Sequence, residues 1–130
     1  MLTRFLKWNL MLTDLGFVAY WSFAALQIFP AEWLYKDAEH PLMLAWNWSF
    51  APVDLMASGV GLWALWDARR GGNYWRFLLP VSLSMTVCAG LMALSFWVIR
   101  GDVDLAWWLP NLYLLTWPMF AVPSCLKNLR

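Results

Sequence analysis

Two acidic residues, Asp14 and Asp54, lie inside long apolar stretches, and Asn47 and Pro52 precede the second within WNWSFAPVDL, residues 46–55. A carboxyl group in the middle of a membrane helix costs about 2.5–3.5 kcal/mol on insertion scales, so it is expected to face protein or a polar cavity. In a low dielectric, such a group can retain a proton or interact strongly with a nearby charge. These residues are where we expect any chemistry of the protein to lie.

The depths of the two acids predict that they meet. Asp14 lies ten residues after Arg4, or about 15 Å along a helix, and Asp54 lies thirteen residues before Asp67, or about 20 Å from the same surface. Because two carboxylates repel each other in a low dielectric, at least one is expected to be protonated at neutral pH. A structural role through hydrogen bonds worth about 0.6 kcal/mol each and a ligand, proton or ion site are equally supported alternatives.

Pro52 predicts a polar hollow beside Asp54. Its ring nitrogen cannot donate to the carbonyl of Trp48, so we expect a kink there with one freed carbonyl group. Asn47 and Asp54 are seven residues apart and share a helix face. Such a bend is tolerated where the backbone lines a cavity or packs against protein. The predicted ligand-binding residues are Asp14, Tyr20, Trp21, Asn47, Asp54, Ser58 and Asn111.

The elements that must hold these residues are membrane helices. The chain has 130 residues, of which 62% are hydrophobic and 13% are charged, whereas soluble domains carry about 25% charged residues. A membrane helix needs about 20 apolar residues, and four stretches qualify, at about residues 5–29, 42–66, 77–99 and 105–126. The sequence therefore predicts an all-α integral membrane protein, with residues 1–130 forming one domain, a four-helix bundle.

Lysine and arginine predict the orientation of this bundle, because cytoplasmic loops are enriched in both. Seven lie on the side of the chain termini and two, Lys36 and Arg100, lie on the other. Both termini are therefore expected in the cytoplasm. The first outer loop contains FPAEWLYKD, residues 29–37, which is expected to form either a short interfacial helix over the pocket mouth or a solvated connector. Most of the 12 tryptophans are expected to form belts at the two membrane boundaries.

Other classes of site find little support in the sequence. A net charge of +1 gives no indication of nucleic-acid binding, and Cys88 and Cys125 do not suggest a disulfide framework. His40 is the single histidine, and no metal-ligand spacing is present. We expect no cofactor, no bound metal and no nucleic acid. The expected partners are membrane lipid, a small hydrophobic or cationic ligand and, in one alternative, a second copy of the chain.

Three segments carry a resemblance to a known family. TDLGFVAYW at residues 13–21, LYKD at 34–37 and WNWSFAPVDL at 46–55 resemble the YvaD-like family of small bacterial membrane proteins, which are expected to span the membrane four times. The resemblance covers mainly the first two predicted helices and the loop between them. It implies a bacterial inner-membrane location and marks Asp14, Asn47, Pro52 and Asp54 as defining positions, but it implies no reaction.

Three functions fit these features. The first is a ligand-binding or accessory protein, in which the acids anchor a small hydrophobic or cationic, lipid-like molecule. The second is a homodimeric proton-coupled transporter, because an ionisable residue would lie at mid-membrane. The third is a lipid-modifying enzyme with Asp14 or Asp54 as general acid or base. We favour binding and rank the enzyme last, because the sequence offers no nucleophile–base pair.

Overall fold

The computed structural model describes residues 2–129, and every regular element in that range is a helix. The helices are α1 (Arg4–Ala25), α2 (Ala31–Leu34), α3 (Pro41–Ser49), α4 (Ala51–Arg69), α5 (Trp75–Arg100) and α6 (Leu105–Leu129). The all-helical fold class is therefore confirmed. Among the described helices, only α5 has both the length and the apolar composition that a membrane crossing requires.

The second predicted stretch consists of two helices, α3 and α4, that are separated by one residue. The interruption falls at Phe50, and Pro52 follows in the first turn of α4. The first turn is where proline is tolerated, because the N–H group that it lacks would have no helical acceptor there. Phe50 keeps helical backbone angles, with φ −82° and ψ −21°. The helix is therefore interrupted between Asn47 and Asp54, but the chain continues in the same direction.

A tight turn joins α4 to α5 and is built around the buried residue Asp67. One Asp67 carboxylate oxygen accepts a hydrogen bond from the backbone N–H of Trp75 at 2.9 Å, which caps the start of α5. A Cβ atom at Gly72 would overlap the same carboxylate, so the turn requires glycine at that position. Asp67 is therefore a buried acid whose role is structural.

The long helices pack in a row. Helix α4 packs between α1 and α5, and α5 packs against α6, whereas α1 and α6 contact each other only slightly. One end of the bundle, which we call the packed end, is filled by a hydrophobic cluster. Its members are Leu2, Leu6, Leu10, Ala64, Leu65, Trp75, Leu78, Leu79, Leu83, Trp117, Ala121 and Cys125. Helices α1 and α6 are also joined by a hydrogen bond of 2.5 Å from the Tyr113 hydroxyl group to Asn9 Oδ1.

Candidate functional site

A cavity of about 360 Å³ lies between α1, α3, α5 and α6, and also borders α2 and the start of α4. We call this part of the bundle the cavity end. Its volume falls in the range of about 300–1,000 Å³ that is typical of ligand sites. Its polar groups come from separate helices, and much of its wall is aromatic. The main aromatic wall residues are Phe17, Tyr20, Trp21, Trp46, Trp107 and Tyr113.

Asp54 contributes a carboxyl group to the cavity wall and is only 6% exposed. The Trp21 indole Nε1–H donates a hydrogen bond to Asp54 Oδ2 at 2.9 Å. The second oxygen, Oδ1, is buried and accepts no hydrogen bond from any described residue. A buried polar atom without a hydrogen bond costs about 1–3 kcal/mol. Asp54 therefore has one oxygen fixed by α1 and one oxygen left as an acceptor.

Asn47 offers the complementary group. The Tyr20 hydroxyl group donates to Asn47 Oδ1 at 2.8 Å and also lies 3.3 Å from the backbone carbonyl oxygen of Leu34. Asn47 is 3% exposed, and its Nδ2 group donates to no described atom. Since Oδ1 is already an acceptor for Tyr20, the free part of this side chain is a hydrogen-bond donor. The cavity wall thus carries one unused donor and one unused acceptor.

The first loop covers part of the cavity end. Trp33 and Leu34 in α2 line the cavity, so the segment 29–37 contains a short helix at the cavity border. Ion pairs connect this loop to the end of α5 and the loop that follows it, from Arg100 to Asp37 and from Lys36 to Asp102 at 2.6 Å. The Lys36 ammonium group hydrogen-bonds Asp102 and holds the pKa of that carboxyl group below its usual range.

The tryptophans near this end are not simply a membrane belt. Trp97 is fully buried, and its ring centroid lies 5.6 Å from that of Trp46 and 6.2 Å from that of Trp107. Trp46 and Trp107 also line the cavity. Trp97 therefore faces protein rather than a membrane boundary, because aromatic rings on the inner faces of neighbouring helices pack on one another. For the half-buried Trp46 and Trp107 the belt stays a prediction. Trp107 precedes Asn111 by one helical turn, which is the sequence signal that could have assigned it to the pocket.

Asp14 is fully buried but does not line the cavity. It lies against α4 and α5, since a Cβ atom on Gly61 would overlap Asp14 Oδ2 and would come within 2.7 Å of Ser82 Oγ. Neither Asp14 carboxyl oxygen has a hydrogen-bond partner within residues 2–129. Asp14 therefore occupies a close contact between helices, where only glycine fits opposite it.

The expectation that Asp14 and Asp54 meet is wrong. Asp54 bonds Trp21, seven residues after Asp14, and Asp14 contacts Gly61, seven residues after Asp54. Because α1 and α4 run in opposite directions, the two acids are about two turns apart, or about 10 Å. The predicted depths were measured as if Arg4 and Asp67 lay at the same level. Asp14 is ten residues from Arg4, whereas its neighbour Gly61 is only six residues from Asp67. Helix α1 therefore starts about one turn beyond the level of Asp67.

Comparison with known proteins places the chain in a family. The model of the "Family of unknown function (DUF5360)" matches residues 6–130. The chain belongs to this family. It is also 43% identical over 127 residues to "Uncharacterized protein YvaD" of Bacillus subtilis (strain 168), a match that spans 98% of this chain and 96% of the relative. The YvaD-like resemblance is thereby confirmed. No solved structure matches the chain significantly.

In this DUF5360 protein, the cavity brings together five of the seven residues predicted to bind ligand. They are Tyr20, Trp21, Asn47, Asp54 and Asn111. The other two, Asp14 and Ser58, are buried outside the cavity lining. The Ser58 hydroxyl group donates to the Asp54 backbone carbonyl at 2.8 Å, as serine commonly does inside a helix. Asn111 Nδ2 donates to the Trp107 carbonyl at 2.8 Å, which uses one of its two N–H donors.

Proposed function

We propose that this protein is a multi-pass protein of the bacterial inner membrane that binds a small hydrophobic or cationic, lipid-like ligand in the cavity. In this proposal α1, the α3–α4 pair, α5 and α6 each cross the bilayer. Large apolar side chains on the outer surface of all four segments support it. Leu15, Trp63, Met92 and Phe120 are 50%, 52%, 65% and 74% exposed, and a soluble protein rarely exposes extensive contiguous apolar surface.

The helices differ in how well their hydropathy suits a membrane crossing. Helix α5 supports it by hydropathy, whereas buried acids lower the mean hydropathy of α1, which contains Asp14, and of α4, which contains Asp54 and Asp67. Each of these acids is turned away from the outer surface, as expected of an ionisable residue inside a membrane. The excess of lysine and arginine near the packed end supports cytoplasmic termini and a cavity in the outer half of the bilayer.

Cysteine labelling tests this membrane placement. In a background without Cys88 and Cys125, single cysteines replace Ala38 in the first loop and Asn73 in the turn before α5. A membrane-impermeant maleimide added to intact spheroplasts is expected to label the first site and to reach the second only after lysis. Recovery of the protein in the soluble fraction, or equal labelling of both sites in intact cells, would contradict the placement.

One observation carries the binding proposal: two buried polar atoms without partners, Asn47 Nδ2 and Asp54 Oδ1, belong to residues in the wall of the same aromatic cavity. If the cavity were only a packing defect, each atom would destabilise the fold by about 1–3 kcal/mol without compensation. A ligand with one acceptor and one donor would satisfy both atoms while its apolar part contacts the aromatic rings. Sites of this kind combine apolar walls with a few oriented polar groups.

Gly16 provides a variant that fills the cavity without breaking the fold. It lines the cavity, and a Cβ atom there would meet nothing within 4 Å. We therefore expect Gly16→Leu to occupy the space where the ligand would lie, while removal of a helix-interior glycine favours the helix by up to about 1 kcal/mol. Native mass spectrometry of wild-type protein extracted from membranes is expected to show a bound molecule that this variant lacks.

The matched control is Gly59→Leu, at a second open glycine that lies on α4 outside the cavity lining. This variant is expected to retain the bound molecule. Thermal unfolding provides the parallel measurement, since a total bacterial lipid extract should raise the melting temperature of wild type and Gly59→Leu but not of Gly16→Leu. The binding proposal is wrong if the wild type carries no molecule and no fraction of the extract stabilises it.

A further inference from the structure

We infer that the ligand is a cationic amphiphile, in which an ammonium group hydrogen-bonds the Asp54 carboxylate and an apolar chain fills the rest of the cavity. This inference rests on the proposed function and narrows its ligand class. The lining residues include one acidic side chain, Asp54, and no lysine, arginine or histidine. In its ionised form Asp54 therefore gives the cavity wall a charge that is complementary to a cation.

The hydrogen bonding of Asp54 favours a ligand with an N–H donor. Trp21 occupies Oδ2 and leaves Oδ1 as the acceptor. A hydrogen bond between an ammonium group and a carboxylate is roughly twice as strong as one between neutral groups. A carboxylate or phosphate headgroup would instead bring negative charge against an oxygen that no protein cation neutralises within the lining. The site therefore selects against anionic lipids.

The aromatic walls act in the same direction. Tyr20, Trp21, Trp46 and Trp107 surround the cavity, and the faces of such rings attract cations by about 0.5–2 kcal/mol, with tryptophan the strongest. Tyr20 and Trp21 form an edge-to-face pair with ring centroids 4.9 Å apart, so two rings are held close to the Asp54 carboxyl group. Trp21 presents its N–H edge to Asp54, so any attraction between a ring face and the cation must come from the other rings of the cavity wall.

Asn47 supplies the second recognition point. Its free Nδ2 donor calls for an acceptor oxygen on the ligand, such as a hydroxyl, ester or amide oxygen. Because Asn47 and Asp54 are seven residues apart on one face, this oxygen should lie within about 10 Å of the ammonium group. The inferred chemistry is an aliphatic amine with a neutral oxygen function nearby.

Four probes that share a dodecyl chain test the headgroup preference. Dodecylammonium, dodecyltrimethylammonium, dodecanol and dodecanoate are titrated against the protein in nanodiscs of zwitterionic lipid, with quenching of tryptophan fluorescence as the readout. We expect dodecylammonium to bind about tenfold more tightly than dodecanol. Dodecyltrimethylammonium, which is charged but has no N–H group, is expected in between, and dodecanoate is expected to bind most weakly.

Variants of the two buried acids separate the site from general partitioning into the nanodisc. Asp54→Asn is expected to weaken dodecylammonium about tenfold and to leave dodecanol almost unchanged. Asp14→Asn should keep the full preference for dodecylammonium over dodecanol, since Asp14 lies outside the cavity lining. Asp54→Glu, which keeps the charge, should restore the preference in part. Circular dichroism establishes that each variant is folded, and Asp54→Glu keeps the inference testable if Asp54→Asn is not.

The outcomes distinguish this inference from the function on which it rests. Equal or tighter binding of dodecanoate, or equal losses in Asp14→Asn and Asp54→Asn, would overturn cation selectivity. If Gly16→Leu still abolished dodecanol binding, the cavity would remain a ligand site. If the wild type bound none of the four probes, the cation inference would fall, and the binding proposal would be decided by the copurified molecule and the lipid extract.

Discussion

The packed end and the cavity end share helices α1, α4, α5 and α6, yet one is filled and the other is hollow. At the packed end, Leu6, Leu10 and Leu79 are almost completely buried, and flexible aliphatic side chains of this kind interdigitate at crystal-like density. At the cavity end, rigid rings meet edge-on, and Asn47 and Asp54 lie on either side of a helix interruption. Side-chain shape and polarity, rather than the order in which the helices are connected, therefore determine where this bundle is open.

Gly61 gives the strongest test of the boundary between the two ends. A Cβ atom there would overlap Asp14, so Gly61→Ala forces the Asp14 side chain or α1 itself to shift and is expected to lower the free energy of unfolding by about 3 kcal/mol, the upper end of the usual cost of overpacking. The matched change Gly59→Ala meets no neighbour within 4 Å and is expected to raise it by up to about 1 kcal/mol. Chemical or thermal unfolding in one detergent measures both.

The double variant Asp14→Ala/Gly61→Ala identifies the source of that loss. Removal of the Asp14 carboxyl group makes room for the new methyl group, so most of the stability lost in Gly61→Ala should return. If the double variant were as unstable as the sum of the single variants, the contact between Asp14 and Gly61 would not be the cause.

Substitution of two buried alanines by leucine compares directly how much space each end offers to a larger side chain. Ala64 belongs to the packed cluster and is 0% exposed, whereas Ala93 lines the cavity and is 4% exposed. Ala64→Leu is expected to destabilise by about 1–3 kcal/mol through overpacking. Ala93→Leu should cost clearly less, because its side chain can enter existing space. The same unfolding assay measures both, and equal costs would contradict the distinction between a filled and a hollow end.

The smallest expected effect concerns the ion pair that joins the two loops at the cavity end. The pKa of Asp102 is lowered by Lys36, so the pair stabilises the fold above about pH 4, near the usual pKa of aspartate, and this contribution is lost as the pH falls through the lowered value. A partly exposed pair contributes little. As the pH falls, the melting temperature of Lys36→Gln should therefore decrease slightly less steeply than that of the wild type.

Glu39→Gln is the control for that profile, since Glu39 is exposed and makes no ion pair with any residue of the described range. Its acid profile should match that of the wild type. A wild-type profile that is unchanged by Lys36→Gln would show that the Lys36–Asp102 pair does not hold the loops together in solution.

The positions of the helices could be predicted from the sequence because apolar runs and proline positions act locally. The predicted stretch 77–99 corresponds to α5, Trp75–Arg100, and Pro52 correctly indicated an irregularity in the stretch 42–66. Local patterns were sufficient wherever a residue's neighbours lie on its own helix.

The remaining features depend on how the helices are offset and rotated, which no single helix encodes. The separation of Asp14 from Asp54 follows from α1 starting one turn beyond Asp67, and the burial of Trp97 follows from the face that α5 turns toward α3. Tryptophan suits both a membrane boundary and a protein interior, so residue type alone could not decide between them.

The packing of the long helices in a row affects the order in which they can assemble during translation. Helix α4 has α1 already available when it emerges, α5 then packs on α4, and α6 on α5. Each long helix after the first therefore packs against one that has already been synthesised, and the contact between the first and the last is slight. Assembly can follow the order of translation, and the last step, the arrival of α6, is the one that encloses the hollow.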